Sequence, residues 1–137
     1  MTDAGKTRAG QLLGDTAPDL VRLTDEVLFG EVWANQGLSQ RDRSLVTVAS
    51  LVSLCHTDQL GSHLRRALDN GLSKDELVHA ITHLAFYAGW PCAMTGIAQL
   101  KKSPRDEMEA HTPPPTAKGP AETFTGAGYH APRTGSR

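Results

Sequence analysis

Apolar side chains recur at three- and four-residue intervals through residues 18–100, the spacing that gathers them on one side of a helix. Pro18, whose fixed φ suits a first helical position, opens a helix with Leu20, Leu23, Val27, Leu28 and Val32 along one side, and Asn35-Gln-Gly37 ends it. Ser39, with Asp42 three residues later, caps the next helix. There Leu45, Val46, Val48, Leu51, Val52 and Leu54 predict a helix that is apolar on most sides and therefore buried. Its Val-Thr-Val run has strand propensity, but the apolar stretch is too long for a typical strand. A third helix, from about residue 57 to 70, carries Leu60, Leu64 and Ala67 and stops at Gly71, which tolerates a left-handed conformation. Ser73 and Glu76 form a capping box for a fourth, with Leu77, Ile81, Leu84 and Ala85. Gly89 closes it, and Pro91 starts a fifth with Met94, Ile97 and Leu100. The pattern predicts a small all-α domain of about five to six helices, spanning residues 17–102.

Composition changes at both ends. Residues 1–16 are polar and glycine-containing and read as a flexible arm. Residues 103–137 hold Pro113-Pro-Pro115, Pro120 and few apolar side chains, and read as a disordered tail. Fourteen basic against fifteen acidic side chains leave a net charge of -1, which argues against nucleic acid or an anionic membrane as partner. No apolar run is long enough to span a bilayer and no leader pattern opens the chain, so a soluble, cytoplasmic protein is expected. Cys55 and Cys92 are 37 positions apart, and neither belongs to a Cys-x-x-Cys pair or a zinc pattern. They read as small buried hydrophobes of a reducing compartment.

The chemistry centres on His63, which shares a helical face with Leu60, Leu64 and Ala67. Such a histidine is either a hydrogen-bonded structural residue or a group placed to give and take a proton near neutrality. His79 and His83 have a spacing that can grip a metal, but no third ligand accompanies them, so no metal and no cofactor are expected. Arg41 and Arg43 bracket Asp42 at a helix start, where basic charge is slightly unfavourable.

Several stretches resemble the carboxymuconolactone decarboxylase family: Phe29-Gly-Glu-Val-Trp33, Gly37-Leu-Ser-Gln-Arg-Asp-Arg-Ser-Leu45, His63-Leu-Arg-Arg-Ala-Leu-Asp-Asn-Gly71, Glu76-Leu77 and Tyr87-Ala-Gly-Trp-Pro91. The resemblance implies an alkylhydroperoxidase D-like helical fold that assembles as a homo-oligomer, a trimer or hexamer. It implies a cofactor-independent decarboxylase acting on a small carboxylated lactone, with His63 handling the proton and Glu31 orienting or charge-balancing it. Arg43 would clamp a substrate carboxylate, and Tyr87 and Trp90 would wall the pocket. His79 departs from the family, which usually carries an acidic residue there. The peroxidase branch carries Cys-x-x-Cys ahead of the histidine; His56 and Gln59 stand at those places, so peroxidase chemistry is not expected. Two alternatives remain: an oligomeric small-molecule binding protein without turnover, and a relative diverted to isomerisation or cyclisation.

Overall fold

The computed structural model describes residues 7–103, and the expectations for residues 1–6 and 104–137 lie outside the described residues. The described residues are all-helical: α1 (Arg8–Leu13), α2 (Pro18–Arg22) running into a π-helical segment (Leu23–Val32), α3 (Gln40–Ser53), α4 (Thr57–Asp69), α5 (Lys74–Ala88) and α6 (Trp90–Lys101). Residues 8–13 thus belong to a helix, although their polar sequence reads as a flexible arm.

Local chemistry sets most boundaries. The Ser39 hydroxyl accepts from the Asp42 N–H at 3.0 Å, and the Ser73 hydroxyl accepts from the Glu76 N–H at 3.0 Å, each satisfying a donor that a helix start leaves orphaned. The Glu76 carboxylate pairs with Arg41 and so ties the starts of α3 and α5 together. At the end of α4, the Leu72 N–H reaches the Ala67 carbonyl at 3.0 Å and the Gly71 N–H reaches Leu68 at 3.2 Å. These two bonds make a Schellman turn, and they need the φ of +101° that Gly71 adopts.

Helices α3 to α6 pack around one core, built from Val48 and Val52 of α3, Leu60, Leu64, Ala67 and Leu68 of α4, Leu77, Ile81 and Ala85 of α5, and Ala93 and Leu100 of α6. Full burial of each large aliphatic side chain contributes about 1.5–3 kcal/mol. Gly96 lets α6 approach closely, because a Cβ there would stand 3.2 Å from Val52 Cγ2 and 3.3 Å from Ile81 Cγ2. The buried Ser44 hydroxyl accepts from Asn70 Nδ2 at 2.9 Å, which bridges α3 to the end of α4.

Three expectations are corrected. First, Leu20, Leu23, Leu28 and Val32, expected to form an inward stripe, are exposed, and Val21 and Trp33 are buried instead. From Leu23 onward the chain is wound as a π-helix, which carries more residues per turn than the α-periodicity behind that expectation. Second, α3 is buried on one face only: Val46 is 62% and Leu54 61% exposed. The domain is too small to surround a helix. Met94 likewise points outward from α6.

Third, Cys55 and Cys92 form a disulfide with Cα atoms 5.3 Å apart, in the ordinary range for such a bond. It joins the α3–α4 corner, where Cys55 takes a left-handed φ of +54°, to the first turn of α6. A pairing across 37 residues leaves no local signature, since only the packing of α6 against the corner brings the two together. Cys55 is exposed, and the bond withdraws the argument from unpaired thiols for a reducing compartment.

Candidate active site

The π segment builds one wall of an open cleft of about 680 Å³, with α1 and α4 contributing others. Thr24 and Asp25, then Phe29, then Trp33 and Ala34 line it, at intervals of four to five residues. That interval is one turn of a helix bonded from residue i to i+5, as in the Trp33 N–H to Leu28 carbonyl bond of 2.8 Å. The Gln40 side-chain amide donates to the Trp33 carbonyl and anchors the wall to the start of α3. Thr7 Oγ1 donates to Asp25 Oδ2 at 2.8 Å and docks α1 alongside, so that Thr7, Arg8 and Ala9 also face the cleft.

His63 is half-buried on α4, and its ring stacks on Trp33 with centroids 6.0 Å apart and planes 25° apart. One turn on, the Arg66 guanidinium lies 4.5 Å from the centre of the Phe29 ring and 5.3 Å from that of Trp33. Arg66 and Arg8 both line the cleft, and among the described residues no ion pair engages either guanidinium. Nδ1 of His63 is buried with no hydrogen-bond partner.

Burial first, and then the charges of Arg66 and Arg8, hold His63 below the ordinary imidazole value of 6.5. The ring is therefore neutral at pH 7, and on acidification the unfolded chain binds the proton first. This depressed value gives stability that is complete above about pH 6.5 and is lost as pH falls from there toward the folded value. In urea titrations the wild type should lose stability relative to His63→Gln below that pH, and parallel curves would contradict the buried, cation-flanked setting.

His63 is not itself among the described residues that line the cleft and meets it through the Trp33 ring; the other residues singled out in the sequence lie elsewhere. Glu31 is exposed on the π segment and does not line the cleft; the charges that act on His63 are those of the two arginines. Arg43 donates from Nη2 to the Asn35 carbonyl at 2.8 Å and the Leu38 carbonyl at 3.4 Å, so its guanidinium braces the loop before α3. Tyr87 is 77% and Trp90 56% exposed at the α5–α6 turn, and neither borders the cleft. His79 lies 3.9 Å from Asp75 on an exposed face, His83 packs on Tyr87, and the described residues hold no cluster of three metal-ligating side chains. No helix among them is long and apolar enough to cross a membrane.

Residues 18–102 match the model of the carboxymuconolactone decarboxylase family, more than half of the chain. The chain belongs to this family. Carboxymuconolactone decarboxylase family relatives include the 4-carboxymuconolactone decarboxylase of Acinetobacter baylyi, 41% identical over 86 residues, which cover 63% of this chain and 64% of that one. The nitrosuccinic acid decarboxylase of Metarhizium robertsii is 31% identical over 87 residues, covering 64% of this chain and 61% of the other. The chain spans less than two thirds of the length of either relative. Both are named as decarboxylases.

The family segment includes His63, Trp33 and Arg66 but begins after α1, so Arg8 lies outside it. Arg66 was legible in principle: it stands three residues after His63, on the same side of the helix. Arg8 had no such signal, because its polar segment resembles a frayed terminus.

Proposed function

We propose that this protein is a cofactor-independent decarboxylase of a small conjugated carboxylic acid, with 4-carboxymuconolactone as the first substrate to test. The observation that carries this reading is His63 itself, an imidazole stacked on a cleft wall and flanked by two arginines without carboxylate partners. As the C–C bond to the carboxylate breaks, carbon dioxide leaves and the electron pair passes into the conjugated system of the substrate. The acid supplies its own electron sink. Imidazolium then gives its proton to carbon, and the ring recovers one from water. In the free protein burial first and then the charges of Arg66 and Arg8 disfavour the protonated ring, and an anion bound between the two arginines would offset the second of these causes.

The test is carbon dioxide release by the full chain from 4-carboxymuconolactone, with nitrosuccinate as the second substrate suggested by the relatives. Failure on both, with the protein folded, would leave the binding-protein alternative in its place.

Tyr87 and Trp90 take a different role in this proposal. With Phe86 and Met94 they form an exposed apolar patch at the α5–α6 turn, in which Phe86 meets Trp90 edge-on at 5.4 Å. Aromatic and methionine side chains of this kind are enriched at the centres of protein interfaces, and a second copy of the chain is the proposed cover. Sedimentation should show an oligomer that Trp90→Glu shifts toward monomer; a wild-type monomer would remove the proposal.

A further inference from the structure

We propose that the Cys55–Cys92 disulfide is a thiol–disulfide exchange site, opened by a dithiol reductant that attacks Cys55 and expels Cys92. Neither cysteine lines the cleft, so this inference is independent of the decarboxylase reading. The backbone at Cys55 gives the first observation. Helix α3 ends as α4 does: the Cys55 N–H reaches the Val52 carbonyl at 3.1 Å and the His56 N–H reaches Leu51 at 2.9 Å, the same pair of bonds that Gly71 and Leu72 make at the end of α4. Such a turn needs a left-handed residue, and glycine takes that conformation without the steric penalty a side chain brings. Gly71 fills the place in one turn at a φ of +101°, and Cys55 fills it in the other at +54°. Among the described residues no other side chain is held at a positive φ. What a cysteine adds at this costly position is its sulfur, and that sulfur is bonded to Cys92.

The two sulfurs are not equivalent. Cys55 is exposed at the α3–α4 corner and Cys92 is half-buried, so the approach of a thiolate is more open at Cys55. Cys92 stands in the first turn of α6, among backbone N–H donors that a helix start leaves orphaned. Among the described residues no side chain caps that start and no acidic residue occupies its first turn, so the donors and the positive end of the helix are available to a sulfur anion. Helix α4, which starts beside Cys55, carries Asp58 in its first turn and offers less help. Cys92 is therefore the better leaving group. In the first step a thiolate of the reductant bonds to Sγ of Cys55, the Sγ–Sγ bond breaks, and its electron pair leaves on Cys92, which takes up a proton. The second thiol of the reductant then attacks the sulfur of the first, releasing Cys55 as a thiol and the reductant as a cyclic disulfide. Two electrons and two protons pass to the protein. Reduction thus opens the cross-link between the start of α6 and the corner that leads into α4.

Dithiothreitol acting on the full chain, purified without reductant, tests this. Reduction, followed by alkylation and mass measurement, should proceed in the folded protein at least as fast as in the urea-unfolded chain, each rate being scaled to that of oxidised glutathione in the same solvent. A disulfide shielded by its fold would be reduced more slowly when folded, and that result would overturn the proposal. Two free thiols persisting after treatment with oxidised glutathione would do the same. Reduced glutathione, with acid quenching and peptide mapping, should place the mixed disulfide on Cys55, and a mixed disulfide on Cys92 would overturn the assigned order. Pro91→Glu, at an exposed position in the first turn of α6, should slow reduction about threefold relative to Pro91→Gln, because its carboxylate opposes the departing thiolate. Equal rates in these two variants would overturn the role given to the start of α6.

Discussion

Replacing His63 with alanine is expected to lower kcat for decarboxylation by about 10²–10⁴-fold, the usual contribution of a positioned proton donor. KM should change little, because in the proposed arrangement the arginines hold the substrate and the imidazole acts on the charge that develops as carbon dioxide leaves. The half-buried ring leaves room for a smaller side chain, and its buried Nδ1 has no partner to orphan, so the variant should fold. Stopped assays of carbon dioxide release and of product deuteration in heavy water would check this. A fall of less than about threefold would take His63 out of the proton step.

The next residue along α4 gives the contrasting result. Leu64 has no exposed surface and lies in the core cluster with α3, α5 and α6. Leu64→Ala should cost about 2–5 kcal/mol, since the lost contacts and the cavity left behind both count. For a domain of this size the melting temperature would fall by roughly 10 °C or more. Turnover per folded molecule should stay near that of the wild type at low temperature. A loss under about 1 kcal/mol in urea titrations would show that the core relaxes around the site or is not packed as described. Neighbouring side chains on one helix would thus separate chemistry from stability.

What the sequence made legible was chemistry acting over a few residues. The Ser39 and Ser73 caps, the Gly71 turn and the helices they bound follow from side chains that satisfy backbone groups three to five positions away. His63 stood out because an ionisable group on an apolar helical face needs a partner or a purpose. The remainder depended on winding and on distance. Leu23, Leu28 and Val32 were expected inside because an ordinary helical period was applied to a segment that does not follow it. The family pattern put weight on Glu31, Arg43, Tyr87 and Trp90, but a spacing along the chain does not tell which face each occupies. Arg43 braces a loop, the other three are exposed, and it is Arg66 and Arg8 whose charges act on His63. The cysteines show the same limit. Their pairing depends on where α6 begins in space, and nothing within a few residues of either one records it.

The i+5 winding of residues 23–32 also bears on how this cleft can be altered. Its lining repeats every four to five residues where an ordinary helix repeats every three to four, so the number of residues between Thr24 and Trp33 matters as much as their identity. Removing a single residue there would let the coil tighten and swing the indole away from the imidazole, even with every lining side chain retained. Recasting the specificity of this wall therefore calls for exchanges at constant length, and insertions or deletions belong in the loops on either side.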